Sequence, residues 1–254
     1  MTAPLDGRVA VVTGAGQGVG RGIALALASA GADVVIAARR AETGEPVAAE
    51  VRARGTRGIC IETDVTRRAD IEAMVERTVA ELGRLDVMVH NAIKPPSPHR
   101  VESVDLAQWE ELSTVGVWGS LWCARTAYPH LRAGGHGRLI LLTSPSGIEG
   151  SAGLPLYGPV KAAQRAMAKS LAREWGPDGI TVNCVAPVAV TPALDKAFAE
   201  QPGLRARVEA RTPLRRLGDP ERDIGGVAVF LASDAAGFVT GQTIVCDGGS
   251  FTGL

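Results

Sequence analysis

The stretch Val9-Ala-Val-Val-Thr-Gly-Ala-Gly-Gln-Gly-Val-Gly20 decides the fold of this chain. It opens with an apolar run of strand character, and a helical pattern rich in alanine and leucine follows it. A strand, a glycine turn and a helix in this order are typical of a dinucleotide-binding loop. Gly14 would allow the tight turn, Gly18 the approach of a pyrophosphate, and Gly20 the close packing of helix on strand. Backbone N–H groups and the positive end of the helix would then meet the phosphates.

Apolar strand-like runs alternate with longer helical patterns along the rest of the chain. Continuous apolar strands suit a parallel sheet covered on both faces, and a right-handed βαβ succession gives a doubly wound sheet. The sequence therefore predicts one Rossmann-like α/β domain over residues 1–254, with a mostly parallel seven-stranded sheet. The predicted strands are Val9–Thr13, Val34–Ala38, Gly58–Thr63, Val87–Asn91, Leu139–Thr143, Thr181–Ala186 and Thr243–Cys246; clear helical patterns are Asp70–Leu82, Trp109–Leu131 and Pro159–Trp175. The stretch from about 191 to 219 departs from the alternation, and we expect it to form a partly helical substrate lid.

Composition excludes several classes of function. The 27 basic and 27 acidic residues give a net charge of zero, which is not typical of a partner for nucleic acid or an anionic membrane. No signal peptide opens the chain and no apolar run approaches a membrane span, so we expect a cytoplasmic protein. Four dispersed cysteines and four histidines without ligand spacing predict reduced thiols and no metal site.

A second informative pattern is Tyr157-Gly-Pro-Val-Lys161, which follows Ser144. A phenol titrates near pH ~10, so it is a poor acid–base group unless a neighbour favours its phenolate. Residues four apart share a helix face, which brings the ammonium of Lys161 close enough to supply that bias. Such a pair also occurs on ordinary solvated helix faces, and the glycine motif at the other end of the chain is what favours a catalytic role.

These motifs together resemble the short-chain dehydrogenase/reductase family over nearly the whole chain. Further matching positions are Asp64-Val65, His90-Asn91-Ala92, Asn183 with Pro187, and Gly241-Gln242 with Asp247-Gly248-Gly249. The resemblance implies hydride transfer at a carbonyl carbon, with Ser144, Tyr157 and Lys161 as catalytic residues. It implies nicotinamide-nucleotide contacts at Gly14, Gln17, Gly18, Val19, Gly20, Arg39, Asp64, Val65, Asn91, Ala92, Tyr157, Lys161, Pro187, Val190 and Thr191. It implies substrate contacts at Ser144, Ser146, Tyr157 and Val188.

The end of the second strand bears on which nucleotide binds. An acidic residue there would hold the ribose diol of NAD, whereas arginine suits a 2′-phosphate. Ala38 stands where the NAD-preferring relatives carry aspartate, and Arg39 can pair with a phosphate in fork geometry. Gln17 stands where some NADP-dependent relatives have a basic residue, so one positive charge that would support phosphate binding is absent. Arg39 and Arg40 would also suit the start of a solvated loop. The sequence favours NADP(H), with NAD(H) as the alternative.

The chain departs from the family pattern at four places. Gly116 stands where relatives carry the asparagine of an Asn-Ser-Tyr-Lys tetrad, so that no side-chain amide is available there for proton relay. Ile93 replaces a glycine, Pro145 follows Ser144, and the segment Pro187–Thr191 lacks a glycine and is one residue short. These differences affect expectations about turnover and the nicotinamide pocket more than those about the fold.

Two classes of function follow. The first is a carbonyl reductase or alcohol dehydrogenase, which the intact Ser144, Tyr157 and Lys161 favour. The second is a cofactor-binding member with weakened chemistry that acts as a sensor or assembly partner, for which Gly116 is the argument. An enoyl reductase is a third possibility, although tyrosine and lysine usually lie further apart in that branch.

Substrate and assembly are predicted only in outline. Candidate pocket residues are mostly apolar and favour a hydrophobic ketone or secondary alcohol: Pro145, Ser146, Ile148, Ala152, Leu154, Val188, Ala189, Leu194 and Phe198. The two long helical patterns carry more apolar surface than one sheet face needs, and the family pairs the matching helices across a two-fold axis. With a second interface at the apolar closing segment Gly249–Leu254, we expect a homotetramer, with a dimer as the alternative.

Overall fold

The computed structural model describes residues 3–94 and 98–251 of the chain. Seven parallel strands form one sheet in the order β3-β2-β1-β4-β5-β6-β7. The strands are β1 Val9–Thr13, β2 Asp33–Ala38, β3 Gly58–Glu62, β4 Val87–His90, β5 Arg138–Leu142, β6 Thr181–Pro187 and β7 Thr243–Cys246. The predicted doubly wound, seven-stranded parallel sheet is confirmed, and each predicted strand lies within one residue of the observed one.

Helices cover both faces of this sheet. The α-helices are α1 Gly18–Ser29, α2 Ala41–Arg52, α3 Arg68–Leu82, α4 Leu106–Ser113, α5 Gly119–Ala133, α6 Ser146–Glu149, α7 Tyr157–Trp175, α8 Pro192–Glu200, α9 Leu204–Arg211 and α10 Gly226–Ala232. Short 3₁₀ segments are Val101–Ser103, Gly176–Asp178 and Asp234–Ala236. Two further segments, Thr114–Trp118 and Pro220–Gly225, are π-helical.

The predicted helical pattern Trp109–Leu131 is helical throughout, but it is not one regular α-helix. The observed structure begins at Leu106 and is divided into α4 and α5 by the π-helical segment Thr114–Trp118. The hydrophobic pattern continues through both pieces, so periodicity alone does not reveal the interruption. One carbonyl of this π-helical segment, that of Gly116, accepts a hydrogen bond from the side chain of Gln164.

Alternate residues of each strand supply two separate cores. Ala10, Val12, Val34 and Ile36 pack on the face covered by α1, α2 and α10. Val9, Val11 and Val35 pack on the opposite face, against α3, α5 and α7. Since side chains alternate along a strand, strands covered on both faces read as unbroken apolar runs. This is the physical reason that the strands were readable from sequence.

The crossovers turn in opposite directions from β1, towards β2 on one side and β4 on the other. A ligand crevice forms at such a switch point, outside the carboxyl ends of the strands. The glycine turn follows β1, Asn91 follows β4, Ser144 follows β5, and the segment containing α8 and α9 follows β6. The fold thus gathers the candidate residues at one edge of the sheet.

Among the described residues, no helix is both long and apolar enough to cross a membrane. Over the same residues, no group of three or more histidine, cysteine or acidic side chains could hold a metal ion. The four cysteines are free thiols, two of them buried and two half-buried.

Candidate functional site

The glycine turn after β1 has the backbone that its sequence requires. Gly14 and Gly18 have φ angles of +64° and +57°, in the left-handed region that favours glycine. A Cβ at Gly14 would lie 2.9 Å from Cα of Ala92, and one at Gly20 would lie 2.5 Å from the carbonyl oxygen of Gly14. Side chains are therefore excluded from the turn, which leaves its backbone open above the N-terminus of α1. Gln17 is exposed at this N-terminus, and its side chain does not cap the helix.

The end of β4 is fastened to this turn by hydrogen bonds. The amide nitrogen of the Asn91 side chain donates to the carbonyl oxygens of Thr13 and Gly14, at 2.9 and 3.2 Å. Thr13 Oγ1 accepts from the backbone N–H groups of Asn91 and Ala92, at 3.0 and 3.1 Å. Asn91 thus joins neighbouring backbone segments, whatever it contacts in a complex. The Thr13 hydroxyl is a part of this arrangement that the sequence analysis did not identify.

His90 lies beneath the same junction and is fully buried. Its Nε2 lies 3.2 Å from the Val115 carbonyl oxygen and its Nδ1 lies 3.2 Å from Thr13 Oγ1. Because a carbonyl can only accept, Nε2 carries the hydrogen and Nδ1 accepts from the hydroxyl. Burial, and then the charge of Lys161, lower the pKa of His90 to about 3, so the ring is neutral near pH ~7. His90 acts here as a structural link.

The ends of β2 and β3 lie where an adenosine moiety would be expected. Ala38 is buried, whereas Arg39 and Arg40 are exposed and their guanidinium groups contact no partner within residues 3–94 and 98–251. Asp64 Oδ1 accepts from the backbone N–H and the hydroxyl of Thr66, at 3.0 and 2.8 Å. That local turn fixes the Asp64 carboxylate at the end of the strand, beside the buried Val65.

The segment after β6 closes against the glycine turn. Val188 and Val190 pair with Gly218 through backbone hydrogen bonds, and Ala189 forms an isolated bridge with the same residue. Thr191 and Pro192 then approach the turn, since a Cβ at Gly18 would lie 3.5 Å from Pro192 Cδ. The predicted contact residues Pro187, Val190 and Thr191 are thereby brought to the same edge as Gly18. Asn183, by contrast, bonds the backbone of Val239 and Gln242, which is a structural role.

Ser144, Tyr157 and Lys161 come together at the carboxyl ends of β5 and β6. Tyr157 is the first residue of α7, and its phenol lies near the Ser144 hydroxyl, which acts to lower the phenol pKa. Lys161 follows one turn later, with Nζ 5.6 Å from the centroid of the Tyr157 ring. Ser144 Oγ also accepts from the backbone N–H of Ser146, at 3.2 Å. The predicted constellation is thus assembled by one loop and one helix turn.

The electrostatics of this group differ from expectation in one respect. Burial raises the pKa of Tyr157 to about 12, opposed by the hydrogen bond from Ser144. Burial also lowers the pKa of Lys161 to about 7. The expected lowering of the phenol pKa by Lys161 is not found in the protein alone. The reason is geometric: Nζ of Lys161 donates to the Leu142 carbonyl oxygen at 2.6 Å and to Gln164 Oε1 at 2.9 Å.

Gln164 is the principal residue that sequence reasoning missed. Its side chain is completely buried, with Oε1 on Lys161 and Nε2 donating to Ser120 Oγ at 2.7 Å and to the Gly116 carbonyl oxygen at 3.1 Å. Ser120 donates in turn to the same carbonyl at 2.6 Å. A signal was present: a glutamine three residues after Lys161 shares the inner face of α7.

Comparison with known proteins finds similarity over nearly the whole chain. The family model described as enoyl-(acyl carrier protein) reductase matches residues 14–250. A cis-4-hydroxycyclohexanecarboxylate dehydrogenase of Sinomonas cyclohexanicum is 38% identical over 245 residues, covering 95% of this chain and 96% of the relative. A short chain dehydrogenase/reductase of Aspergillus oryzae is 38% identical over 249 residues, covering 96% and 95%.

A solved structure extends the likeness to three dimensions. The gluconate 5-dehydrogenase of Burkholderia cenocepacia, solved in complex with NADP and tartrate, superposes with a TM-score of 0.91 and 31% identity, over 100% of this chain and 98% of that one. The family match and these full-length likenesses, on a doubly wound sheet with its glycine turn, show that this chain belongs to the short-chain dehydrogenase/reductase family of oxidoreductases.

Proposed function

We propose that the chain is an NADP(H)-dependent oxidoreductase that interconverts a hydrophobic ketone and a secondary alcohol, with Tyr157 as acid and base. The observation that carries the proposal is the Tyr157 phenol near the Ser144 hydroxyl, with the Lys161 ammonium over its ring, at the edge of the sheet that also holds the glycine turn. The named relatives, a dehydrogenase and a dehydrogenase/reductase, support the reaction class.

The residues present fit a dinucleotide. The turn at Gly14 and Gly18 keeps side chains away from the N-terminus of α1, where a pyrophosphate would find backbone N–H groups. Arg39 offers an unpartnered guanidinium at the end of β2 for a 2′-phosphate. Further contacts are assigned to Gln17, Val19, Gly20, Asp64, Val65, Asn91, Ala92, Lys161, Pro187, Val190 and Thr191. When bound, the nicotinamide nucleotide supplies or accepts the hydride.

The protein's own part is proton transfer and the binding of oxygen. Tyr157 gives its phenolic proton to the developing alkoxide in reduction and takes the alcohol proton in oxidation. Ser144, which lies near the phenol, donates a hydrogen bond to the same substrate oxygen. Because burial keeps the pKa of Tyr157 at about 12, the phenol is protonated and ready to act as an acid for reduction. In both directions the charged Lys161, with Nζ 5.6 Å from the centroid of the phenol ring, stabilises the phenolate form of Tyr157.

We assign the substrate to the space between the Ser144 loop, Tyr157 and the lid segment at 191–219, with Ser146 and Val188 as further contacts. The predicted lining carries no fixed charge. The carboxylate named for one relative suggests an informative pair of substrates, cyclohexanone and 4-oxocyclohexanecarboxylate. We expect preference for the neutral ketone, and a strong preference for the anion would contradict the apolar pocket.

The test of the assignment is Tyr157→Phe, with Tyr128→Phe as its matched control. Tyr128 is the only other tyrosine, and its hydroxyl donates to Asp178 at 2.7 Å on the far side of α5. Removing the acid–base group should lower kcat about 100-fold or more while NADPH titration by fluorescence stays nearly unchanged. A fully active Tyr157→Phe enzyme would refute the assignment, and Tyr128→Phe should retain wild-type kcat.

Two alternatives have different outcomes in the same assays. A cofactor-binding member with weakened chemistry would bind NADPH but reduce none of a broad panel of ketones. The absence of the usual asparagine at Gly116 is the observation that favours this alternative. An enoyl reductase, the activity by which the matching family model is described, would consume NADPH with an enoyl thioester and not with ketones. The spacing of Tyr157 and Lys161 and the named dehydrogenase relatives favour the ketone reaction.

A further inference from the structure

The surroundings of Gly116 explain how Lys161 is held without the asparagine that relatives carry at this place. Gly116 is buried in the π-helical segment Thr114–Trp118. A Cβ at this position would collide with Cγ1 of Val160 and lie 3.3 Å from Cδ1 of Ile93. Val160 is buried and β-branched, so its methyl group has little freedom to move. The space that an asparagine side chain would need is therefore filled by Val160.

Three polar groups near this glycine are hydrogen-bonded to Gln164: the Gly116 carbonyl, the Ser120 hydroxyl and the Lys161 ammonium. The orientation of its amide follows from chemistry, since the Gly116 carbonyl can only accept and must face the amide nitrogen. The amide oxygen consequently faces Lys161 Nζ, at 2.9 Å. With Ser120 as the second acceptor, each polar atom of the amide has a partner in an environment without solvent. A buried amide so fully bonded fixes the position of the amine to which it is joined.

We propose that Gln164 is a positioning residue for the reaction, supplying from α7 the side-chain amide that Gly116 cannot supply from the π-helical segment. This inference rests on the proposed function, because it concerns the lysine that serves Tyr157. The bonded path runs from Lys161 through Gln164 to Ser120 and the Gly116 carbonyl. The three residues Gly116, Val160 and Gln164 depend on one another. Val160 fills the space beside Gly116 that an asparagine side chain would need, and Gln164 supplies the amide from α7 instead.

The principal test is Gln164→Met, which keeps the length of the side chain and removes its hydrogen bonds. We expect kcat to fall about tenfold or more, the scale of a lost hydrogen bond to a charged group, with little change in KM for the ketone. The charged form of Lys161 loses an acceptor, so the alkaline limb of the kcat–pH profile should move to lower pH. Thr78→Val is the matched control, because it also removes a fully buried hydrogen bond, of 2.7 Å to Met74, away from the site.

A second experiment tests whether an asparagine at position 116 can replace the amide of Gln164. Gly116→Asn alone should fail, because Val160 blocks it. The triple variant Gly116→Asn, Val160→Ala, Gln164→Met should recover most of the kcat that Gln164→Met loses. A triple variant no faster than Gln164→Met would contradict the replacement of one amide by another.

The outcomes separate this inference from the proposed function. Wild-type kcat and pH profile for Gln164→Met, beside an inactive Tyr157→Phe, would overturn the role of Gln164 and leave the function standing. A loss no greater than that of Thr78→Val, with an unchanged pH profile, would show a merely structural role and overturn it equally. If Gln164→Met does not fold, Ser120→Ala tests the same path, and an unchanged profile there would count against the proposal.

Discussion

Arg39 and Arg40 are adjacent, exposed and without partners in the described structure, yet we assign the 2′-phosphate to Arg39 alone. Arg39→Ile should therefore raise KM for NADPH roughly tenfold to a hundredfold, the scale of a lost charged hydrogen bond, and leave KM for NADH unchanged. Adding Ala38→Asp should shift the preference towards NADH. The measurement is kcat/KM with each nucleotide.

Arg40→Ile is the control for this pair, since it removes the same charge one residue further along. It should change kcat/KM for NADPH by less than Arg39→Ile does. A native preference for NADH, or a larger effect at Arg40, would show that Arg39 is only a surface residue.

The lowered pKa of Lys161 predicts that the stability of the protein without nucleotide depends on pH. Burial lowers its pKa from 10.5 to about 7, so between these values the unfolded chain binds more protons than the folded one. The free energy of unfolding should therefore rise from about pH 7 to 9, by up to about 2–3 kcal/mol. Above this window the buried thiols of Cys123 and Cys184, with pKa values raised to about 12, act in the opposite direction.

Urea unfolding of the wild type and of Lys161→Met at several pH values measures this contribution. The variant leaves two acceptors without a donor, which changes its stability by an amount independent of pH. The slope is therefore the readout, and the variant should lack the rise between about pH 7 and 9. An equal slope in both proteins would mean that Lys161 keeps an ordinary pKa in the fold.

Lys161 and its hydrogen-bond partner Gln164 show which residues of the site could be predicted from the sequence and which could not. The motif located Ser144, Tyr157 and Lys161, because their spacing reflects one helix turn and one loop. Gln164 was missed, because its importance depends on Gly116 and Ser120, which another helix brings to it. The spacing indicated that Lys161 is near Tyr157, but it gave no measure of the burial that raises the phenol pKa.

At the scale of elements, α1 is held by glycines against the π-helical segment Pro220–Gly225. A Cβ at Gly22 would lie 2.5 Å from the Pro220 carbonyl oxygen, and one at Gly225 would lie 2.5 Å from the Cβ of Ala26. Two backbones can approach this closely only without side chains between them. Gly22→Ala should therefore lower the free energy of unfolding by about 1–3 kcal/mol, the usual cost of overpacking.

Gly226→Ala is the matched control for this contact. Gly226 is exposed, has helical backbone angles, and has nothing within 4 Å of where its Cβ would lie. Its substitution should leave stability unchanged or raise it by up to about 1 kcal/mol, the helix propensity difference. Thermal or urea unfolding compares the two, and equal effects would contradict the packing argument.

Elements were predictable to different degrees. All seven strands followed from their apolar runs, because burial on both faces leaves a continuous signature. The division between α4 and α5 did not follow, because a π-helical segment changes hydrogen bonding without changing hydrophobic periodicity. The lid remains a prediction, since α8 and α9 are defined as elements while their movement is untested.

At the scale of the whole molecule, an aromatic surface formed by α5 and the π-helical segment before it favours self-association. Trp118 is 51% exposed and stacks on Trp122, with ring centroids 5.8 Å apart. The exposed Ala162 and Ala166 on α7 would allow close approach of a second copy. Phe238 is also fully exposed, and the predicted second interface involves Gly249–Leu254, of which residues 252–254 lie outside the described structure.

We therefore predict a homotetramer, with light scattering giving four times the 26.3 kDa monomer mass at micromolar concentration. Trp118→Glu should lower that mass by placing a charge in the interface. Glu42→Lys, an exposed change on α2, should not. A wild-type protein that scatters as a 26.3 kDa particle would exclude both the tetramer and the dimer.

The collision between Gly116 and Val160 also constrains the order in which such a site can change over generations. A side chain can enter position 116 only after residue 160 has become small, and Gln164 becomes dispensable only after that entry. Of the six orders in which three substitutions can be made, only the one that starts at Val160, continues at Gly116 and ends at Gln164 both avoids the collision and keeps an amide beside Lys161 at every step. Lineages between this protein and relatives with asparagine should therefore contain a small residue at position 160 together with glutamine at 164, and rarely asparagine at 116 together with valine at 160.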